Sequence, residues 1–145
     1  MLILKITNIY SLKQINKNVL DKGYSLHDGS LSTGHANSTS DMLHRLETLV
    51  LMGMDIPLLA VRNQIASAID IVVQLGRLRD KSRKVLEVAE VTGVMDGEIM
   101  VQPLYKFVET GVDEQGRIKG ELCATVNKLL YTDKLAHAGL LDGYV

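Results

Sequence analysis

Apolar residues recur at helical spacing shortly after residue 38. They form one stripe of Leu43, Leu46 and Val50. This spacing predicts a helix over residues 39–52. Ser38 and Asp41 have the spacing of a capping box, in which a hydroxyl accepts from a first-turn N–H and an acidic side chain reaches back. Gly53 predicts the end of this helix.

A second apolar stripe at helical spacing predicts another helix that ends near residue 68. Its members are Leu58, Val61, Ile65 and Ala68. We expect Asp55 to be its N-cap and Pro57 to lie in its first turn, where proline is tolerated because no N–H is needed. Residues 69–75, which follow, are β-branched and almost continuously apolar. They predict a strand that is buried on both faces.

After a charged corner, the apolar pattern changes to the alternation typical of strands. Three candidate strands cover residues 84–92, 98–108 and 117–124. An Asp96-Gly97 turn and a polar turn at 111–116 connect them, which predicts an antiparallel meander. We expect this meander to have a polar outer face. The side chains assigned to that face are Glu87, Glu90 and Lys106.

The two ends of the chain carry weaker patterns. Residues 1–10 predict a strand, and residues 11–22 predict a short helix. Asn127 is the expected cap of a last helix that runs through His137, and Gly139 would close it.

Composition limits the classes of protein to which the chain could belong. Its 145 residues are enough for one domain with a core of its own, and with only 4% aromatic residues that core must be aliphatic. A net charge of −1 provides no global field for nucleic acid, so we expect no nucleic-acid partner. No apolar run is long enough to span a bilayer, so we expect no direct membrane insertion. Cys123, the only cysteine, favours a reducing, cytoplasmic setting.

A polar segment at residues 27–38, HDGSLSTGHANS, precedes the first predicted helix. Its glycine, hydroxyl, amide and imidazole side chains suit a loop that ends a strand and faces a phosphate or another polar ligand. The phosphate-binding patterns GxxxxGK[ST] and GxGxxG are both absent. From spacing alone, His35 is better explained as a residue that satisfies loop backbone groups than as a ligand. By the same criterion, Arg45 and Arg62 are solvated helix residues rather than arginine fingers.

Three histidines near the polar segment suggest a possible metal site. They are His27, His35 and His44. Their intervals of eight and nine residues do not place two ligands on one helical face. We therefore expect no bound metal.

The chain resembles the type II/IV secretion-system ATPases in two long strings, HDGSLSTGHANSTSDMLHRLETLVLMG and IPLLAVRNQIASAIDIVVQLGRLRDKSRKV. The nearest branch is that of the tight-adherence pilus (CpaF/TadA-like) ATPases. The resemblance continues through EVTGV, PLYKF and KLAHAGL and covers about residues 27–145. It implies an α/β fold, the C-terminal portion of a RecA-like ATPase core, in which two helices flank a buried strand and an antiparallel meander and a terminal helix follow. Residues 1–26 do not match the family.

The resemblance also implies a function. The family are P-loop NTPase motors that form hexameric rings, bind ATP and Mg²⁺ between subunits and drive secretion or pilus assembly. They work in the cytoplasm, peripheral to the inner membrane, with platform proteins as partners. His35 matches the family's histidine-box residue near the γ-phosphate, which implies a catalytic role. Nucleotide-sensing or interface roles are implied for a further set of residues, which are Ser32, Thr33, Asn37, Arg45 and Arg62.

The chain departs from the family in what precedes the histidine box. The family's Walker A loop, aspartate-rich box and Walker B segment lie upstream, and the 26 residues before His27 contain none of them. His35 alone does not replace a phosphate cradle and its Mg²⁺ ligands, so we expect a truncated member that neither binds ATP nor catalyses its hydrolysis by itself. The family's parallel sheet would also lose its first strands. Residues 69–75 would then have an open edge that residues 1–10 or a second copy could fill.

Three functions remain open from the sequence. The first is the C-terminal part of a secretion or pilus-assembly ATPase. The second is a non-catalytic module derived from such a motor, which self-associates or binds full-length motor subunits. The third is a metal-binding or small-molecule-binding domain built on the three histidines.

Overall fold

An antiparallel sheet with two helices packed against it makes up most of the described molecule. The computed structural model describes residues 2–6, 30–137 and 139. The helices are α1 Thr39–Leu51, α2 Leu58–Ala68 and a short α3, Asp133–His137. The strands are β1 Leu2–Ile6, β2 Ser30–Gly34, β3 Ile69–Arg77, β4 Arg83–Met95, β5 Glu98–Val112 and β6 Ile118–Ala124. The mixed α/β class is therefore confirmed, whereas the helix predicted over 11–22 lies outside the described residues.

The sheet has the order β2-β1-β3-β4-β5-β6, and each described pairing of neighbours is antiparallel. From β3 to β6 the spatial order follows the chain order, which confirms the predicted meander. The β4–β5 turn has positive φ at both central residues, 52° at Asp96 and 82° at Gly97. This conformation matches the right-handed twist of the flanking strands, and it explains the Asp-Gly pair.

The strand β1 fills the edge of β3 that the sequence leaves open. Its central residue Leu4 lies opposite Ser32 of β2 on one side and Val72 of β3 on the other. The amino-terminal segment therefore fills this edge of β3, and β2 follows it as the outermost strand. The parallel sheet implied by the resemblance is not seen in the described part of the chain.

The first helix begins where the capping box predicts. Ser38 has extended backbone angles, and its Oγ accepts from the Asp41 N–H at 3.1 Å. The Asp41 carboxylate reaches back to the N–H of Asn37 at 2.9 Å, one residue beyond the predicted target.

The expected N-cap of the second helix is wrong. The N–H groups of Ala60 and Val61 bond to the carbonyl of Pro57, so Pro57 is the N-cap residue and no side chain caps the helix. Asp55 lies two residues too early to reach the first turn.

The core lies between the two helices and the sheet. It is aliphatic, as the composition predicts, and its fully buried members are Met42, Leu43, Val50, Val61, Ile65, Ala68, Ile69, Val72 and Val91. Within β3 only Ile69 and Val72 are fully buried, and the other positions are partly or fully exposed. The prediction that this strand is buried on both faces is therefore wrong, because both helices pack against the same side of the sheet.

The assignment of Glu90 to a polar outer face is also wrong. Glu90 is only 1% exposed. It is three positions from Glu87, and an odd separation places two strand residues on opposite faces. The Glu87 side receives the α1 residue Thr39, whose hydroxyl donates to the Glu87 carboxylate at 2.9 Å. The Glu90 side is covered by another part of the chain, residues 125–132, which we call the C-terminal strap.

The C-terminal strap replaces most of the predicted last helix. The Asn127 side chain does not cap a helix, because its amide donates to the carbonyl of Pro103 at 2.8 Å. Helix α3 therefore begins only at Asp133. The predicted stop at Gly139 is confirmed by its φ of 66° and by its N–H bond to Ala136.

Candidate functional site

The described part of the polar segment joins the end of β2 to the start of α1. Ser32 and Thr33 lie in the strand, and His35 and Asn37 lie in the short connection that follows Gly34. His35 is exposed. The segment therefore ends a strand and presents an imidazole to solvent, as the pattern of residues predicts, whereas His27 lies outside the described residues.

The connection is held in place by backbone groups rather than by its histidine. The Gln74 side chain, on β3, donates to the carbonyl of Asn37 at 2.7 Å. The Ser38 hydroxyl accepts from the Asp41 N–H in the first turn of α1, and the Asp41 carboxylate accepts from the Asn37 N–H. These bonds show that His35 is not needed to satisfy the loop backbone.

The capping also determines what the start of α1 can bind. A helix N-terminus attracts anions through free N–H groups and its positive dipole end. Here Ser38 occupies the Asp41 N–H, and the Asp41 carboxylate places a negative charge beside the connection. Both features oppose a triphosphate at this end of the helix. By themselves, the described residues around His35 therefore do not form a site for Mg-ATP.

Arg62 of α2 is the most constrained of the predicted site residues. Its guanidinium donates to both oxygens of Glu47 on α1, at 2.9 and 3.3 Å, and to Glu98 at 2.8 Å. It also donates to the carbonyl of Gly97 in the β4–β5 turn. The hydrogen bond to Glu47 raises the pKa of Arg62 above its ordinary value, although partial burial opposes this, and the guanidinium stays charged. Arg62 thus connects both helices to the hairpin.

The structure separates Arg62 from the polar segment. The α1 residues Thr39, beside that segment, and Glu47, beside Arg62, are eight residues apart, which is about 12 Å along a helix axis. Arg45 is an exposed residue of the same helix. Ser32, Thr33, His35 and Asn37 are therefore brought together by chain proximity, and neither arginine completes a compact site with them in this single chain.

The histidines do not build a metal site in the part of the chain that is described. His44, within α1, lies beside Glu47, with 3.4 Å between Nδ1 and the carboxylate, whereas His35 precedes the helix. Across residues 30–137 and 139, no group of three or more His, Cys, Asp or Glu side chains could hold an ion.

Two carboxylates matter to the structure although the sequence does not single them out. The buried Glu90 accepts from the N–H groups of Leu130 and Tyr131 at 2.9–3.2 Å, and from the Gln102 side chain at 2.6 Å. None of these contacts is to a cationic side chain. The sequence does contain one signal for the burial of Glu90. Its odd separation from Glu87 means that the two side chains cannot lie on the same face of a strand.

The second carboxylate, Asp80, lies in the β3–β4 turn. It accepts from the N–H of Ile118 at 2.7 Å and from the hydroxyl and N–H of Ser82. The Ile118 bond, followed by the Ser82 hydroxyl, lowers the pKa of Asp80 to about 2, against an opposing effect of burial. No sequence pattern indicates this contact, because it joins positions 38 residues apart.

A scan of the sequence against protein-family models gives no match, and a search of curated proteins likewise gives no match. No helix in the described residues is both long enough and apolar enough to cross a membrane.

Proposed function

We propose that this chain is the C-terminal, histidine-box part of the motor domain of a type II/IV secretion or pilus-assembly ATPase. We further propose that these 145 residues do not hydrolyse ATP by themselves. The observation that carries the proposal is the position of the polar segment, which ends β2, exposes His35 and leads directly into α1. An exposed imidazole in this position can donate a hydrogen bond to a phosphate oxygen. The RecA-like architecture and the cytoplasmic location at the inner membrane belong to this proposal.

The lack of autonomous activity follows from the chemistry around His35. Phosphoryl transfer needs a backbone cradle, a lysine and bound Mg²⁺ to stabilise charge. Here the adjacent helix start is capped by Ser38, and the Asp41 carboxylate accepts from the Asn37 N–H of the connection. Arg62 is held by Glu47 and Glu98. These contacts favour a chain that contributes a sensor to a motor rather than one that binds triphosphate itself.

Activity assays with Mg-ATP test the second half of the proposal. We expect phosphate release no faster than in buffer, a flat calorimetric titration and no change in melting temperature with Mg-ATP. Measurable turnover, or a rise in melting temperature, would show that the chain is an autonomous nucleotide-binding protein.

A chimera tests the motor assignment. Residues 27–145 replace the matching part of a tight-adherence ATPase, and we expect the chimera to hydrolyse ATP and to lose that activity with His35→Ala. The control is His137→Ala, another exposed histidine, which should leave activity unchanged. A chimera that forms rings but is inactive, or in which both substitutions have the same effect, contradicts the assignment.

A second candidate is a non-catalytic module that self-associates or binds motor subunits. The observation that favours it is a group of exposed apolar side chains around the α1–α2 connection. They are Leu49, Leu51, Met52, Leu58 and Leu59, and Met52 is 80% exposed. Exposed apolar clusters of this kind mark contact surfaces. Co-sedimentation of the chain with intact motor subunits tests this candidate. Loss of co-sedimentation in Met52→Asp supports it, and unchanged co-sedimentation in Met52→Asp rejects this surface.

A further inference from the structure

The last strand of the sheet, β6, has an edge with no neighbouring strand in the described part of the chain. Two hydrogen bonds show which groups point outward. The carbonyl of Arg117 accepts from Asp113, and the N–H of Thr125 donates to Leu104, both at 2.8 Å and both toward β5. Because backbone groups alternate along an antiparallel strand, the even-numbered residues of β6 direct their N–H and C=O groups outward. The pairing with β5 has no irregularity on the β6 side, so this alternation holds from Ile118 to Ala124.

One outward group is already occupied. The N–H of Ile118 donates to the Asp80 carboxylate at 2.7 Å. The remaining outward groups belong to Gly120, Leu122 and Ala124, together with the Ile118 carbonyl. Such an edge can add another strand.

The charges on β6 select both the occupant and its register. Lys119 and Glu121 are exposed, share one face of the strand and form no side-chain bond with the described residues. In an antiparallel pair of two β6 strands centred on Gly120, Lys119 of each copy lies opposite Glu121 of the other. Opposite charges at directly opposed positions stabilise a strand pair. On the other face, Ile118 lies opposite Leu122, where only the Ile118 carbonyl is available to the partner because Asp80 holds the Ile118 N–H.

The neighbouring registers are less favourable. The outward groups require even-numbered residues to lie opposite even-numbered residues, so every allowed pairing is centred on a residue. Centring on Lys119 or on Glu121 places that residue opposite its own copy, a like-charge contact that destabilises the pair. Centring on Ile118 places Lys119 opposite Arg117, which is also a like-charge contact. Centring on Leu122 places Glu121 opposite Cys123 and leaves both charges unpaired. Among these registers, only the one centred on Gly120 gives two ion pairs without a like-charge contact.

We propose that β6 is the contact through which two copies of this chain pair, edge to edge and antiparallel, centred on Gly120. The contact is isologous, so one two-fold axis closes it and no fibre forms through this edge. It joins the two sheets into one continuous sheet. The proposal does not depend on ATP or on motor membership, because it uses only the geometry and charge of β6.

Charge reversal gives a matched test by analytical ultracentrifugation. We expect a reversible dimer in the wild type, and each of Lys119→Glu and Glu121→Lys should raise its dissociation constant about tenfold by facing like charges. The double variant Lys119→Glu with Glu121→Lys restores the pairing with reversed sign, and we expect it to recover wild-type affinity to within about threefold. Both residues are exposed, so circular dichroism should show unchanged folding. A wild type that stays monomeric up to about 1 mM, or a double variant weaker than both single ones, overturns the proposal.

Disulfide trapping reports the register directly. Opposed residues that share no hydrogen bonds have Cβ atoms about 4.5–5.5 Å apart, close enough for a disulfide after a small shift. Lys119→Cys with Glu121→Cys, in a Cys123→Ser background, should form a cross-linked dimer on oxidation. Glu121→Cys alone, which would pair with the native Cys123 in the Leu122-centred register, should not. The reverse result overturns the register, and hydrogen-exchange protection of Gly120 and Leu122 in a monomer would assign the edge to another segment of this chain.

Discussion

Asp80 shows how one carboxylate joins two turns that are distant in sequence. Its bonds to Ile118 and Ser82 stabilise the ionised form, which is why its pKa falls from 3.8 to about 2. A carboxyl whose pKa is lower in the folded state stabilises the fold fully above the unfolded value and loses that contribution as the pH falls to the folded value.

We therefore expect Asp80→Asn to destabilise the protein at neutral pH and to matter progressively less between pH 3.8 and about 2. The measurement is the melting temperature of both proteins across that range. Asp55→Asn, at an exposed residue of the α1–α2 connection, is the control and should give curves parallel to the wild type. A constant difference between Asp80→Asn and wild type at all pH values would disprove the linkage.

Glu90 is one of the residues that hold the C-terminal strap to the sheet. We expect Glu90→Gln to cost about 1–3 kcal/mol, because both carboxylate oxygens accept hydrogen bonds and an amide nitrogen cannot accept. Whichever way the amide is turned, its nitrogen faces a donor, the Tyr131 N–H at one oxygen position and the Gln102 side chain at the other. Urea denaturation measures the change. Glu87→Gln on the same strand is the control and should cost less than about 1 kcal/mol, since its carboxylate is partly exposed and its lysine partner Lys106 lies at 3.8 Å.

Hydrogen exchange separates this role from a general loss of stability. The Leu130 and Tyr131 amides should lose protection in Glu90→Gln more than the core amides of Ile65 and Val72 do. Equal losses at both places would mean that Glu90 supports the sheet rather than the strap.

Among the secondary-structure elements, Arg62 determines how α1, α2 and the β4–β5 hairpin are fixed to one another. Its planar group reaches acceptors on Glu47, Gly97 and Glu98, which belong to two different elements. A lysine keeps the charge but has a single donor centre and cannot span these positions.

We expect Arg62→Lys to lower the melting temperature by at least about 3 °C, although the charge is conserved. Arg45→Lys, on the exposed side of α1, should leave it unchanged. If the two substitutions behave alike in the isolated chain, Arg62 does not serve as the connection between these elements and its role must lie in a contact with another subunit.

For the whole molecule, the position of β1 determines whether the sheet extends beyond the meander. This strand pairs with β2 and β3 at the same time, so a backbone change at its centre disturbs both pairings. It is also the strand through which β2, with its part of the polar segment, reaches the rest of the sheet.

Leu4→Pro tests this arrangement, because proline has no N–H to donate to a neighbouring strand. Since β1 has a strand on each side, this N–H faces one of them. We expect a loss of at least about 2 kcal/mol in urea denaturation and greater self-association through the exposed edge of β3. Glu114→Pro, in the turn closed by the bond from Gly116 to Asp113, is the matched control and should be nearly neutral. Equal stability of both variants would show that β1 is dispensable.

The sequence alone determined the local structure wherever a pattern is short-range. The Ser38 and Asp41 capping pair gives the start of α1, the Asp96-Gly97 pair gives the hairpin, and alternating apolar residues give the strands. These features depend on neighbours within a few residues, so no knowledge of the fold is needed to predict them.

Only the tertiary structure decided which faces are buried and what the polar side chains contact. Glu90 looks like a surface residue until the C-terminal strap covers it, and Arg62 looks solvated until Glu47 meets it. The polar segment can be located from the sequence, but the bond from the Gln74 side chain to the Asn37 carbonyl, which ties the connection to β3, depends on the fold. The pairing of β1 with β3 joins residues about 70 positions apart, and contacts at such separation arise from packing rather than from local propensity.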